Sequence, residues 1–593
     1  MGAEAVPPET DGDRTATREP VHAWRSRALA AVSTRWAVRG WHGALLGFFL
    51  LFVLLPTLYV LGYVAVDWSG VQSIFGDPVL AGRILPAVAY SFGVAGMVAL
   101  FDLVAGLPLA WLLVRHEFRG KSWFDTLIDS PLAVTTAGLG FSVVLFWGLS
   151  PTITQHPPGS LGLTNSAFLI LVLLHLTTTF PYMVRSLAAI LQEIDVEYEN
   201  AARAAGASRL TAVRTITLPM FRSGMATGLL LVLAKALSDT GGALTALTLI
   251  GAVNADASVA GNLYAPFTGN GTALIGIWKS FATHAGTPAS LAVELNGGLA
   301  LVSALMIVLA LALLVAVKYV AVRLKFPLRR VWPVAERKLS SRPFPRLRDF
   351  GALAVLVFFI LVPSFFFLAF LFVAAPTAAL DWGRFWNAVG ISFLIGGVAT
   401  GIDLAMGVPF AILITRGRLR WLGRILDALV NIPYIVPSAA LGISLSLFWS
   451  AQKTIVPSLL VLVTLAHVAF TFPFVVRNVV GALEQLDPAA EETARTLGAK
   501  PAQVFRRVLL PAIRPAILAG AIMAFTRSLG ETGATQAVAG TGIETIPLLI
   551  VNIITSRTPQ YYEAALAQLA LLGVSFAAIL FLRLVIERRR SHG

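Results

Sequence analysis

Residues 43–66, 352–374 and 564–582 form almost unbroken apolar runs. Each is near or above the roughly 20 residues that an α-helix needs to cross a hydrocarbon bilayer. A backbone in lipid must satisfy its own amides, so such runs leave only helices or a closed barrel. Barrel strands would show segments of about 10 residues with alternating polarity, and none are evident. The chain is 57% hydrophobic and 13% charged over 593 residues, with mean hydropathy +0.78. That balance excludes a string of soluble domains. An all-α polytopic membrane protein with the lipid bilayer as solvent is expected, with about twelve spans beginning near residues 42, 86, 129, 164, 223, 297, 350, 387, 428, 456, 515 and 564.

The net charge of +14 would suit nucleic acid, but its placement argues against that partner. Lys318, Arg323, Lys325, Arg329, Arg330, Arg337, Lys338, Arg342, Arg346 and Arg348 cluster in one loop, and Arg588, Arg589 and Arg590 close the chain. The opposite loops hold scattered bases such as Arg83, Lys279, Arg384, Lys453 and Arg557. Basic loops stay on the cytoplasmic side, so both termini are expected there. The polar, arginine-rich residues 1–41 read as a cytoplasmic tail, not a cleaved signal. The absence of cysteine removes disulfides and thiol chemistry and leaves the redox compartment open.

A repeat divides the chain. Asn200-Ala201-Ala202-Arg203-Ala204-Ala205-Gly206 leads to Ile216-Thr217-Leu218-Pro219, and Glu492-Thr493-Ala494-Arg495-Thr496-Leu497-Gly498 leads to Val508-Leu509-Leu510-Pro511. Both glycines and both prolines stand 292 residues apart, as do His175 and His467, Pro181 and Pro473, and Arg185 and Arg477. Asp102, Gly106, Pro108 and Arg115 are matched by Asp403, Gly407, Pro409 and Arg416. Two tandem six-helix domains with pseudo-two-fold symmetry follow, at 42–325 and 350–587, joined by a basic, proline-bearing linker at 326–349 and followed by a tail at 588–593. A substrate path between repeats is the usual arrangement. The outer loop at 253–296 is longer than its counterpart at 541–563, which suits either a partner contact or a tolerated insertion.

Locally, each repeated loop reads as a helix-turn-helix. Asp195 and Asp487 can cap a first short helix, and Gly206 and Gly498 suit the left-handed turn that ends it. Ser208 caps, and Pro501 begins, a second helix, which Pro219 and Pro511 are expected to stop or bend. The two copies resemble the "EAA" loop of ABC importer permeases. That resemblance covers residues 45 to 585 and implies a permease in the plasma membrane, with two ATPase subunits docked on the loops and an extracytoplasmic solute-binding protein delivering cargo. Asn200 departs from the usual Glu of this motif. Glu199 lies beside it, but one residue turns a helical side chain by about 100°.

This chain shows no ATP site of its own. Gly120-Lys121-Ser122 has the end of a phosphate-binding loop, but Arg115 stands where its first glycine belongs. No Leu-Ser-Gly-Gly-Gln occurs. No cofactor is therefore expected on the chain itself, and ATP and magnesium belong to the partner. No metal site is expected either.

Each fifth span carries an ionisable pair four residues apart, Lys235 with Asp239 and Arg527 with Glu531, so each is expected to meet on one helical face. An unpaired charge at bilayer depth costs on the order of 3 kcal/mol. The pairs therefore read either as structural ties or as the lining of a gate, with Thr240, Thr532 and Gly533 beside them. The stretch 527–535 is similar to that of sulfate, molybdate, tungstate and phosphate importers, whereas the fusion is similar to ferric-iron and thiamine importers. The membrane motif favours an inorganic oxyanion. His175 and His467 read as packing residues, and Pro181 and Pro473 as kinks in the fourth spans. A twelve-helix secondary transporter is the competing class, but its Gly-x3-Asp-Arg loop is missing after the second spans. No cluster of His, Asp and Glu supports a membrane enzyme.

Overall fold

The computed structural model describes residues 35–323, 332–341, 343–376, 381–417, 419–450, 458–540 and 542–590. Most of the expected N-terminal tail, the first part of the linker and residues 591–593 lie outside these. Among the described residues the elements are helical apart from one isolated bridge between Gly148 and Thr164.

Among the described residues eight helices are long and apolar enough to cross a membrane, and three sharply bent helix pairs bring the number to eleven if each is one span. The last helix, Tyr561–Arg590, occupies the place of the twelfth expected span. The bends fall in the third span of each half (103° and 105°) and in the fifth span of the first (57°). The breaks fall at Val134-Thr135, Val436-Pro437 and Asp239-Thr240, where freed backbone groups are re-satisfied by neighbours inside the protein.

Each half is tied by the same pair of helices. Pro78–Arg115 packs along Ala167–Glu193, and Trp382–Arg416 along Leu459–Gln485. Asp102 accepts a hydrogen bond from Thr179 at 2.6 Å, and Asp403 one from Thr471 at 2.5 Å. One turn on, Gly106 and Gly407 let the facing helices approach; an added Cβ would lie 3.3 Å from Met183 and 3.2 Å from Val475. In lipid the hydrophobic effect does not drive helices together, so small residues and interhelical hydrogen bonds carry this role.

The first span of each half crosses to the other half. Phe49 packs on Phe410 at 4.8 Å and Phe52 stacks on Trp449 at 5.4 Å. In the mirrored place Phe359 stacks on Trp147 at 5.3 Å and Phe370 meets Phe141 edge-on at 5.5 Å. The hydroxyl of Ser444 enters the helix ladder of the first span, accepting from the Val60 amide at 2.9 Å and donating to the Pro56 carbonyl at 2.7 Å. Ser142 accepts from the Phe367 amide at 2.9 Å on the other side. Neither half packs as an independent body, and two apolar clusters each draw residues from both.

The long outer loop is not a slack insertion. Within it Gly271–Thr283 forms a helix capped by Asn270, which accepts from Ala273 at 3.1 Å, and buries Trp278. Arg83 donates to the carbonyls of Leu263 and Ala265, both at 2.7 Å.

Candidate functional site

The two signature loops fold into elbows of the same backbone design. In the first, Asp195 accepts from the Glu197 amide at 2.9 Å and the helix Val196–Ala204 follows. In the second, Asp487 accepts from the Ala489 amide at 2.9 Å ahead of Ala489–Thr496. Gly206 then turns left-handed at φ 91° and Gly498 at φ 84°. Each turn closes with the same pair of bonds: Gly206 to the Arg203 carbonyl and Ala207 to that of Ala202, Gly498 to Arg495 and Ala499 to Ala494, all at 3.0 Å. Ser208 caps the next limb by accepting from Thr211 at 3.2 Å, and Pro501 opens the matching one.

The prolines do not stop these limbs. Arg209–Ala212 and Pro501–Val504 run through π-helical turns, Val213–Thr217 and Phe505–Leu509, into the fifth spans. The wider turn accommodates a residue without an amide hydrogen, so Pro219 and Pro511 sit just inside Leu218–Ser238 and Leu510–Leu529. The elbow is therefore continuous with a span.

The signature residues divide by exposure. Asn200, Ala201, Glu492, Thr493 and the two glycines are exposed, and Ala202 and Ala494 are half-buried. Ile216, Leu218, Pro219, Val508 and Leu510 are half-buried framework, and Pro511 is exposed. Glu199 points inward, where Arg115 donates to it at 3.2 Å and Thr217 at 2.9 Å. The matched Glu491 receives Arg416 at 2.8 Å. Arg115 and Arg416 also hold carbonyls at the ends of the fourth spans, Ile194 for the first and Leu483 and Leu486 for the second. Glu199 thus cannot stand in for the acid missing at Asn200. The sequence matched the two arginines but did not show that they anchor the elbows.

Between the halves lies a cavity of about 200 Å³ lined by Thr178, Tyr182 and Lys235 from the first half and Phe474, Thr526, Arg527 and Gly530 from the second. A smaller pocket beside it adds Ser238, Tyr434 and Ser438. Arg527 is paired with Glu531 and lies over the Phe470 ring at 5.1 Å. The expected Lys235–Asp239 pair does not form. The helix ends at Ser238, as its counterpart ends at Leu529 short of Glu531, but here the acid turns to the next helix without meeting the base. Asp239 accepts instead from the Gly242 amide at 3.2 Å, at the start of the helix Gly241–Leu249. Glu531 does likewise for Ala534 at 2.9 Å, ahead of Gly533–Ala539. Lys235 has no carboxylate within 4 Å among the described residues. Thr240 and Thr532 are buried and face the glycines of the opposite half: a Cβ at Gly241 would strike Thr532, and one at Gly533 would strike Thr240.

The histidines serve packing. His467 bonds Ser528 at 2.6 Å and Thr535 at 3.0 Å, and His175 bonds the Leu171 carbonyl at 2.6 Å.

Two halves with crossed first spans, each with an elbow that runs into its fifth span, define a duplicated membrane permease. The chain belongs to the family of binding-protein-dependent transport system inner membrane components, which it matches twice, at residues 102–326 and 407–592. Both matches begin in the second span of a half, beyond the crossed first spans. The chain is 38% identical over 181 residues to the sulfate transport system permease protein CysT of Salmonella typhimurium, covering 27% of this chain and 65% of that protein. It is 32% identical over 234 residues to the molybdenum transport system permease protein ModB of Mycobacterium tuberculosis, covering 36% of this chain and 88% of the relative. Against ModB of Escherichia coli it is 34% identical over 160 residues, 27% of this chain and 70% of the relative.

Proposed function

We propose that this chain forms the complete two-lobed channel of an ATP-driven importer of an inorganic oxyanion such as sulfate or molybdate. In this reading both termini and both elbows face the cytoplasm. Two ATPase subunits, which bind the ATP and magnesium, seat on the elbows, and a binding protein delivers the anion outside. The observation that carries the reading is the pair of elbows with one backbone design, each fused to a span that reaches the central cavity. Exposed small side chains at Ala201 and Thr493 allow a partner to approach closely.

The cavity's charge supports the substrate class. Lys235 and Arg527 both line the cavity, whereas Asp239 and Glu531 lie behind its wall, so the surface presented to a solute is positive. Such a charge attracts an anion into a low-dielectric path and repels a cation such as ferric iron. The named sulfate and molybdate relatives agree with this class.

Proteoliposomes holding the chain with its ATPase and binding protein test the proposal. Uptake of labelled sulfate or molybdate is expected only with ATP and both partners. Uptake driven by an ion gradient without ATP would instead mark a secondary transporter.

A further inference from the structure

The two elbows share a backbone, but among the described residues their surroundings differ. Beside the first lies a helix of the linker, Pro333–Ser340. Ser340 accepts a hydrogen bond from the Leu210 amide at 3.0 Å and donates one to Ser208 at 3.3 Å. Glu336 is only 3% exposed. It accepts from Thr211 at 2.5 Å, from Arg214 at 2.7 Å and from the Trp332 amide at 3.2 Å. Arg214 also lies over the Trp332 ring at 5.9 Å. The hydrogen bond from Thr211 holds the Glu336 carboxyl below its usual range against the opposing effect of burial, and the Arg214 charge adds to this. At the matching places of the second elbow stand Gln503 and Arg506, both exposed, and Gln503 turns back to cap Lys500 at 2.8 Å.

The linker helix leads within a few residues into Phe344–Val373, the first span of the second half, whose Val362–Val373 part packs on Thr136–Trp147 of the first. A buried, multiply bonded carboxylate at one end and a packed span at the other make this segment a rigid connection rather than a slack tether. We propose that the linker helix is a strut with Glu336 as its positioning residue. It clamps the second limb of the first elbow to the first span of the opposite half, so movement of that elbow reaches both halves. The second elbow acts through its own span.

The clamp itself is testable on the full chain alone, by hydrogen exchange in lipid nanodiscs. Glu336→Ala is expected to speed exchange of the 208–214 amides at least tenfold and to leave 500–506 unchanged. The charge exchange Arg214→Glu with Glu336→Arg is expected to restore protection, and it remains informative if the alanine variant folds poorly. Unchanged exchange in Glu336→Ala would overturn the proposal. The strut's role rests on the ATP-driven reading above and is measured in proteoliposomes as labelled sulfate imported per ATP hydrolysed. That ratio is expected to fall several-fold in Glu336→Ala, with hydrolysis retained, and to recover in the charge exchange. Faster exchange with an unchanged ratio would refute the strut but leave the importer reading intact. Absence of ATP-dependent uptake by the wild type would refute the importer reading and leave the exchange result standing.

Discussion

Gly206 and Gly498 offer a calibrated perturbation of the elbows. Both adopt positive φ, 91° and 84°, and an added Cβ would meet nothing within 4 Å at either position. A side chain placed there therefore encounters no neighbour, and the whole effect is backbone strain. For an L-residue the left-handed conformation costs roughly 1–2 kcal/mol, while Asn tolerates it better. A β-branched residue is the least tolerant. One or two kcal/mol is a factor of roughly 5–30 in an equilibrium, which here is the population of elbow shaped to receive its partner. Gly498→Ala is thus expected to weaken binding of the ATPase to reconstituted chain about 5–30-fold. Gly498→Asn is expected to stay near wild type, and Gly498→Val to fall furthest. Thermal unfolding of the membrane body should barely move, because neither glycine packs against it. Equal binding by all three variants, or an Asn variant as weak as Val, would refute the reasoning.

The two cavity cations should part company. Arg527→Gln strands the buried Glu531 carboxylate, a loss of about 3–5 kcal/mol, and should lower the folded yield on size-exclusion chromatography; Lys235→Gln strands no acid, so it should fold normally yet slow sulfate uptake. Ser444→Ala removes a hydroxyl that fastens the crossed first span and should cost about 0.6–1.7 kcal/mol in detergent unfolding, the range measured for hydrogen bonds between membrane helices. Gly140→Ala drives a Cβ into the Gly242 carbonyl and should destabilise by about 1–3 kcal/mol or more; Gly93→Ala, with open space around it, should be neutral or slightly stabilising.

The elbows were legible because local chemistry writes them: an Asp that caps, a Gly that turns, a Ser or Pro that restarts. The repeat was legible for the same reason, and Asp102 with Gly106 matched Asp403 with Gly407 because both sets do the same packing. What escaped depends on contacts distant in sequence. The crossing of the first spans leaves no trace in residues 43–66, since phenylalanines suit either half. Lys235 and Asp239 look like a pair on four-residue spacing alone, but each fifth span ends before its acid, and only Arg527 still reaches its partner. Pro219 and Pro511 were expected to stop or bend the second limb, and a π-helical turn instead carries the helix onward. In the linker seven bases drew attention to charge and topology, while one of its two acids, Glu336, was the residue with structural work.

Because the chain has no cysteine, single thiols placed at Asn200 and Glu492 report on the elbows without background. Cross-linking Asn200→Cys and Glu492→Cys in membranes that also hold the ATPase tests most directly whether the duplicated elbows are where force enters. Adducts with the ATPase from both positions, formed by reagent applied to the cytoplasmic side, are the expected result. Thiols that react only from the outer side, or yield no ATPase adduct at either position, would contradict it.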